Sequence, residues 1–341
     1  MKEIFFTTII IFCFACTQKT DINKKIVVDF PEVRWLIGEE INFDEIGVLE
    51  INVIDTFIIL RIPHKENMFN VYGLSDQSFI GSFGLKGRGP NEFLGPRYSN
   101  QLIMDSTGIK IWINDIIREK HSLINVSKSL ESNKTFVEKT FDIKAEHLFY
   151  FTDDKIIGND DSKKGRIFTC NPKVQEKNYS SFFPVIPQNF HYQFITHKNI
   201  CKLKTDKSKI VSVMHYFKRI DFFTTNGEIE NSVIYQDDFS SREIIERFEQ
   251  NKLINYYEDV TVTNDLIFAV YTNQLDDDVA DVEKELEIHV FDWSGNPKYL
   301  LHVPEYVLNI TIDEVNGYLY GLNYLSEDKN YMRYNIQEVI K

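Results

Sequence analysis

The feature of this sequence that most constrains its fold is a repeated strand–turn–strand unit. Short runs rich in β-branched and aromatic residues recur along the chain, as in Thr56–Ile62, Ile109–Ile113 and Leu266–Tyr271. Their length and composition are typical of β-strands. The turns between paired runs lie near positions 75, 126, 171, 226 and 294, and a shorter sixth copy ends near 336. The successive gaps are therefore 51, 45, 55, 68 and 42 residues.

Units of this size predict an all-β fold, a six-bladed β-propeller of four-stranded antiparallel blades over residues 25–341. A single blade cannot bury both of its faces, so several blades must stack around an axis. We expect the N-terminal strand material, such as Lys25–Asp29, to complete the short last blade and to close the ring. A pair of β-sandwiches is the alternative, but no linker or change of composition marks a midpoint.

The region 240–251 departs from the strand pattern. Ser240 and Glu243 have the spacing of a capping box, and Ile244 and Phe248 begin an apolar stripe at helical spacing. This region therefore predicts one short helix, inserted between strands in the longest of the repeated units.

The composition excludes two broad classes of protein. Hydrophobic residues make up 43% of the 341 residues and aromatic residues make up 14%, which is too apolar for a disordered chain. The formal net charge of −13, without an evident basic face, argues against a nucleic-acid partner.

The N-terminus has the pattern of an export signal. A short charged start precedes a mostly apolar run from Ile4 to Ala15, which is shorter than the roughly 20 residues of a membrane span. Bacterial lipoprotein signals end in a small residue followed by a lipidated cysteine, and Ala15 and Cys16 fit this pattern. We therefore predict a signal peptide over 1–15, lipidation of Cys16 and a tether over 16–24. An ordinary secreted protein, or an uncleaved anchor, is the alternative.

Two cysteines, Cys170 and Cys201, remain for other chemistry after such processing. In an oxidising envelope they could form a disulfide across 31 residues, but two separate buried thiols are the favoured interpretation. The sequence has no CxxC pair and no metal-ligand spacing, so we predict neither a redox site nor a zinc site.

The chain also resembles a known family, the TolB-like six-bladed propeller lipoproteins that are abundant in Bacteroidetes. Beside Ala15-Cys16, the resemblance rests on the Gly-Arg-Gly-Pro-Asn-Glu-Phe sequence within Gly81–Phe93 and on Val290–Pro297 with the later runs Ile312–Glu314 and Leu319–Leu322. It covers nearly the whole predicted mature chain and is weakest in the middle blades. The resemblance implies the propeller fold and the cell envelope, and it implies little about chemistry.

The segment Gly81–Arg97 is the most unusual stretch of the chain. It holds five of the 15 glycines and has a local charge of +2. Glycines allow backbone N–H groups to face an anion, so the segment could be a loop at the mouth of the propeller that contacts an acidic or polar ligand. The alternative is a structural connection between blades. Its candidate ligand-binding residues are Lys86, Arg88, Asn91, Glu92 and Arg97.

Two histidines, His191 and His197, flank Tyr192 and Phe194 and are further candidates for lining a pocket. The sequence contains no HExxH, no GxSxG and no P-loop pattern, and its acidic clusters lack the spacing of an EF-hand. The sequence therefore leaves the catalytic residues, if any, unknown, and we predict neither a metal nor a cofactor.

These observations favour a lipid-anchored binding or interaction module of the cell envelope, on the outer membrane or on its periplasmic or surface face. We expect a monomer with a small molecule, a glycan or an envelope protein as its partner, bound at the axial mouth of the propeller. An envelope hydrolase or lyase acting on glycans or peptides is the alternative, because catalytic residues gathered from several blades would share no local motif.

Overall fold

The computed structural model describes residues 23–162, 164–180, 193–276, 285–325 and 330–340. The predicted signal peptide, the predicted lipidation site Cys16 and most of the predicted tether lie outside these residues. So does His191.

Three strands precede the first blade, and six sheets then follow one another around a central axis. The leading strands are β1 (Asn23–Val27), β2 (Glu32–Trp35) and β3 (Gly38–Ile41). Blade 1 contains β4 (Glu50–Ile54), β5 (Phe57–Arg61), β6 (Asn67–Gly73) and β7 (Phe79–Leu85). Blade 2 contains β8 (Pro96–Asp105), β9 (Gly108–Asp115), β10 (Lys120–Asn125) and β11 (Val137–Asp142). Blade 3 contains β12 (His147–Thr152), β13 (Lys155–Asn159), β14 (Ile167–Cys170) and β15 (Lys177–Tyr179).

The second half of the ring has the same organisation. Blade 4 contains β16 (Asn199–Leu203), β17 (Lys209–Met214), β18 (Arg219–Thr224) and β19 (Ile229–Tyr235). Blade 5 contains β20 (Ile254–Val262), β21 (Leu266–Leu275), β22 (Leu286–Asp292) and β23 (Pro297–Val303). Blade 6 contains β24 (Asn309–Asp313), β25 (Tyr318–Leu322) and β26 (Tyr331–Asn335), with β3 as its fourth strand. The predicted all-β, six-bladed propeller is confirmed.

The hydrophobic core is divided among the interfaces between neighbouring blades. At the interface of blades 4 and 5, for example, Phe222, Tyr257 and Phe291 are buried together. Each such side chain stabilises the fold by about 1.5–3 kcal/mol relative to an exposed one. Trp112 of blade 2 is also buried, and its ring stacks on that of Tyr150 in blade 3 with centroids 4.6 Å apart. The aromatic residues thus join one blade to the next.

An N-terminal strand closes the ring, as predicted, but it is not the predicted one. Gly38–Ile41 pairs antiparallel with β26 and completes blade 6. The predicted segment, Lys25–Asp29, overlaps β1, which lies parallel to β19 as a fifth strand of blade 4. β2 lies parallel to β23 on blade 5 in the same way. The chain therefore covers two exposed sheet edges before it reaches the last blade.

The predicted helix is present as α3, after α1 (Val126–Ser132) and α2 (Gln193–His197) and before α4 (Gln337–Ile340). α3 spans Ser241–Glu249, and both halves of the predicted capping box are formed between Ser240 and Glu243. The capping box explains why the helix begins where the sequence predicts, because it satisfies N–H groups that the first turn leaves free. The sequence did not predict the three shorter helices.

Cys170 and Cys201 are separate, buried thiols, as the sequence analysis favoured. Burial raises the pKa of the Cys201 thiol to about 12, so this side chain remains protonated at neutral pH. A buried, protonated thiol is a poor nucleophile, and neither cysteine provides a reactive group.

Candidate ligand-binding funnel

The centre of the ring is an open cavity of about 630 Å³ lined mainly by polar and charged residues, called the funnel below. Every blade contributes to its wall through its inner strand or a residue beside that strand. A cavity of this volume is suited to a small molecule. The ionisable groups of its wall are Glu50, Arg61, Arg97, Tyr98, Glu146, His147, Lys198, Cys201, Lys202, His215, Glu258, Asp259 and Tyr324.

An irregularity in β20 brings two neighbouring carboxylates into the funnel. Adjacent side chains of a regular strand point to opposite faces, so only one of Glu258 and Asp259 would be expected there. The pairing of β20 with β21 shifts register twice in this region, and such bulges redirect side chains. The Asp259 carboxylate accepts hydrogen bonds from Asn309 Nδ2 at 2.7 Å and from the Ile310 N–H at 2.8 Å, so its role is partly structural.

Blades 1 and 2 place two arginines on either side of one carboxylate. Glu50 Oε1 lies 2.9 Å from Arg61 Nη2 and 3.7 Å from Arg97 Nε. The Arg61 side chain is almost buried, whereas 53% of the Arg97 side chain is exposed. Glu50 is therefore neutralised mainly by Arg61, and the Arg97 guanidinium remains accessible from the funnel.

Blade 4 contributes two lysines to the funnel. Lys198 directly precedes β16, and Lys202 lies within it. Within the described part of the chain, neither ammonium group forms an ion pair or a hydrogen bond. Lys198 Nζ lies 5.2 Å from the centre of the Tyr216 ring, a cation–π contact. Both lysines therefore present a positive charge to the funnel.

Two carboxyl groups in the funnel are displaced toward their neutral form. Burial raises the pKa of Glu146, and it raises the pKa of Glu258 to about 7. The Lys198 charge lowers the pKa of both carboxyl groups by less than burial raises it, so this charge acts on both groups. Glu258 is consequently close to half-protonated at neutral pH.

His215 stands beside Glu258 as a neutral imidazole. Burial lowers the pKa of His215 to about 3. Its Nδ1 lies 2.9 Å from the Tyr257 carbonyl oxygen, which only accepts hydrogen bonds, so Nδ1 carries the proton. Nε2 is then left as an acceptor, 3.7 Å from Glu258 Oε1.

Four buried polar atoms on funnel residues have no hydrogen-bond partner among the residues that the structure describes. They are Arg61 Nε, Ser99 Oγ, Asn114 Oδ1 and His215 Nε2. A buried polar atom without a partner costs about 1–3 kcal/mol. Buried polar atoms of this kind are usually satisfied by ordered water or by a ligand.

The Gly81–Arg97 segment runs from the end of β7 into the start of β8, and its residues 86–95, called the blade 1–2 connection below, join the two blades. Its backbone is held by side chains of blade 2. The buried Asp115 carboxylate accepts from the N–H groups of Leu94 at 2.8 Å and Gly95 at 3.0 Å. Arg118 Nη1 donates to the carbonyl oxygens of Gly89 at 2.6 Å and Glu92 at 2.5 Å. Such contacts are expected of a structural connection between blades, the alternative to a ligand-binding loop.

Five candidate residues from this segment occupy different surroundings. Arg97 alone among them lines the funnel. Lys86 Nζ donates to the Pro63 carbonyl oxygen at 3.2 Å, and the Glu92 carboxylate accepts from the Gly89 N–H at 2.6 Å. Arg88 and Asn91 are exposed at the surface. The structure therefore does not bring these five side chains together.

The other histidine candidate, His197, lies within the described residues. It is buried in α2 and does not line the funnel. Burial lowers its pKa to about 4, so the ring is neutral at pH 7. In the described chain, His, Cys, Asp and Glu side chains do not form a group of three or more that could hold a metal ion.

Sequence reasoning did not single out Lys198, Lys202, His215 or Glu258 as candidates for a site. These residues come from two blades, are separated by up to 60 positions and share no local spacing. Only the register of β16 and β20 within their blades brings them to one cavity.

Fold and cavity together define a class of protein, a six-bladed propeller with a polar binding funnel on its axis. Residues 49–315 match the family described as TolB-like 6-blade propeller-like, and the chain belongs to this family. The resemblance identified from the sequence is thereby confirmed. Comparison with curated proteins finds no match.

Two solved structures from Bacteroides share the fold. An exported protein of Bacteroides fragilis superimposes with a TM-score of 0.55 at 12% identity, covering 92% of this chain and 98% of the other. A member of the DUF4221 family from Bacteroides vulgatus superimposes with a TM-score of 0.52 at 10% identity, covering 88% and 97%. At these identities the likeness concerns the fold alone.

Proposed function

We propose that this protein is a binding module of the bacterial cell envelope that takes a small polar ligand into its funnel. The observation that carries the proposal is the set of unpartnered polar atoms on the funnel wall, described above. Water can occupy such positions, and a ligand with complementary hydroxyl or charged groups can replace it. An apolar plug would have closed the axis; a cavity of about 630 Å³ leaves room for a ligand.

The experiment is a thermal-shift and calorimetric comparison of the protein with monosaccharides, amino acids, dipeptides and small carboxylates. We expect at least one compound to raise Tm and to bind with measurable heat. The same compound should lose affinity in Asn114→Leu, which fills the wall with an apolar group of similar size. Asn91→Leu, an exposed change in the blade 1–2 connection, is the matched control. Equal binding by both variants would place the ligand elsewhere and contradict the proposal.

Export and lipid anchoring belong to this proposal as well. The support is the apolar N-terminal run that stops at Cys16, together with a similar fold in an exported protein of Bacteroides fragilis. Among the described residues, no helix is long and apolar enough to span a membrane. Fractionation of cells that express Cys16→Ser tests the anchor, with Thr17→Ala as the control. We expect only Cys16→Ser to leave the membrane fraction, and retention of that variant would refute lipidation.

A second candidate function is an envelope hydrolase or lyase acting on glycans or peptides. Glu258 favours it, because a carboxyl group with a pKa near 7 inside a cavity has the property of a general acid or base. Mass spectrometry of glycan and peptide mixtures after incubation would detect products. Product formation that disappears in Glu258→Gln would establish catalysis, whereas unchanged substrates would leave binding as the function.

A further inference from the structure

We propose that the ligand of the funnel carries an oxyanion, a carboxylate or a phosphate, which is held by Arg97, Lys198 and Lys202. This inference rests on the proposed function, because it names the chemical class of ligand for the same cavity.

The two lysines differ from those lysines of the chain that nearby carboxylates hold in ion pairs. Lys110 Nζ pairs with Asp105 at 2.9 Å and with Glu138 at 2.7 Å, and Lys177 pairs with Asp160 at 2.7 Å. Within the described chain, Lys198 and Lys202 have no such carboxylate, although four acidic residues line the same funnel. Their charges are therefore available to an anion from solution.

The acidic residues of the funnel compete only weakly for these cations. Glu50 is paired with Arg61, and Asp259 accepts hydrogen bonds from blade 6. Burial raises the pKa of the other two, Glu146 and Glu258, and so disfavours their charged forms. Four basic and four acidic side chains line the funnel, so their formal charges cancel, and burial shifts this balance toward the positive side in a chain whose net charge is −13.

The three cations line the same funnel from the blades on either side of blade 3. In addition to burial, the charges of Arg97 and Lys202 lower the pKa of His147. The charges of Arg97 and Lys198 lower the pKa of Glu146. His147 and Glu146 lie at the start of blade 3, between blade 2, which carries Arg97, and blade 4, which carries the lysines. The anion would therefore lie over blade 3, between cations from two blades, and charged donors of this kind form strong hydrogen bonds to carboxylate and phosphate.

Polar atoms without a hydrogen-bond partner within the described residues lie close to blade 3. Asn114 is 2% exposed and its Nδ2 donates to the carbonyl oxygens of Ala145 at 3.1 Å and Glu146 at 2.9 Å, while its Oδ1 has no partner within the described residues. Ser99, 7% exposed, has an unpartnered hydroxyl. The hydroxyl can donate to an oxyanion, and the amide oxygen can accept from a neighbouring hydroxyl or N–H of the ligand.

The test compares matched probes that differ in charge. Glucose, glucuronate and glucose 6-phosphate share one ring, and succinamide and succinate share one chain. Calorimetry at low salt should show that at least one anionic probe binds at least tenfold more tightly than its neutral counterpart. The carboxylate and phosphate members distinguish the two sources of the oxyanion. Affinity for that anion should fall as the salt concentration rises.

Charge-removal variants make the result specific to the funnel. The double variant Lys198→Met/Lys202→Met should weaken the anionic probe at least tenfold and leave Tm nearly unchanged. The control double variant is Lys24→Met/Lys173→Met, which removes two lysines that pair with Asp238 and Asp154 at the surface. We expect the control to bind the probe as the parent does.

Each outcome distinguishes this inference from the proposed function. If neutral and anionic probes bind equally and Asn114→Leu weakens both, the funnel binds a ligand but the oxyanion proposal is wrong. If the anions bind the parent and both double variants equally, binding is a surface effect and the proposal is also wrong. If none of the probes binds, the oxyanion proposal fails, and the broader compound panel described above decides whether the funnel binds at all.

Discussion

The blade 1–2 connection and the funnel use their polar groups in different ways. In the connection, Asp115 and Arg118 are committed to backbone groups of the same chain. In the funnel, Lys198 and Lys202 have no ion-pair partner within the described residues. Four buried polar atoms of its wall also have no hydrogen-bond partner there. A glycine-rich, basic segment can therefore be architecture, while a binding site can be assembled from unremarkable strands. The predictions below test this difference.

The largest effect is expected from Asp115→Ala. This change leaves the Leu94, Gly95 and Arg118 N–H groups without their shared acceptor. We expect a loss of about 3–5 kcal/mol in the free energy of unfolding, measured by urea denaturation. Asp238→Ala, which removes an exposed ion pair, should cost less than about 1 kcal/mol. A loss that small for Asp115→Ala would show that the connection is not held from blade 2.

Glu258→Gln should stabilise the protein, in contrast to changes in the connection. The pKa of Glu258 is about 7 in the folded state against an ordinary 4.5, so the folded protein binds this proton more tightly than the unfolded chain. The contribution of Glu258 to stability is therefore greatest below pH 4.5 and is lost as the pH rises through about 7. The variant carries no charge and should be more stable than the parent by about 3 kcal/mol at pH 8.

The check is the difference in unfolding free energy between Glu258→Gln and the parent, followed from pH 4.5 to pH 8. The difference should be small at the acidic end and grow with pH. Glu40→Gln, at an exposed position of β3, serves as the control and should show no such trend. A difference that is constant with pH would mean that Glu258 is already ionised without cost in the folded protein.

Arg97→Ala should change affinity more than stability. Its only ion pair in the described residues is the 3.7 Å contact with Glu50, and exposed pairs contribute about 0–1 kcal/mol. We expect affinity for the anionic probe to fall about tenfold, or about 1.4 kcal/mol, with Tm unchanged. Unchanged affinity measured by calorimetry would remove Arg97 from the site.

Arg88→Ala gives the smallest expected effect. The side chain is exposed and does not line the funnel. Neither Tm nor affinity for the probe should change beyond about 0.5 kcal/mol. If affinity falls while Tm is unchanged, the binding role considered for the blade 1–2 connection would be restored, and the contrast with the funnel would weaken.

The sequence predicted the fold because its evidence is local and repeated. Runs of β-branched residues and turns mark each blade, and the capping box at Ser240 marks α3. α1 was missed because its seven residues are too few for a helical period, and its ends depend on Asn125 as the N-cap and on the left-handed backbone of Asn133. The closing strand was misplaced because Lys25–Asp29 is rich in β-branched residues, whereas Gly38–Ile41 contains glycine and two glutamates, which are depleted in strands. Composition also does not specify which sheet edge a strand covers.

The candidate site was harder to predict for a physical reason. The lining residues come from different blades, so their neighbours in space are not their neighbours in sequence. Arg97 was identified because it lies in a distinctive segment, whereas Glu258 reaches the funnel through a bulge that breaks strand alternation. Register shifts of this kind depend on packing across the whole blade rather than on the residues nearby.

The placement of β1, β2 and β3 on blades 4, 5 and 6 has a consequence for how the molecule is made. The first described residues of the chain pair with some of the last, as in the contact between Glu39 and Arg333, 294 positions apart. During synthesis these three segments have no partner until the later blades exist. Closing so long a loop makes this the slow, late step of folding. We therefore expect the ring to close last, when the three strands that precede blade 1 pair with blades 4, 5 and 6.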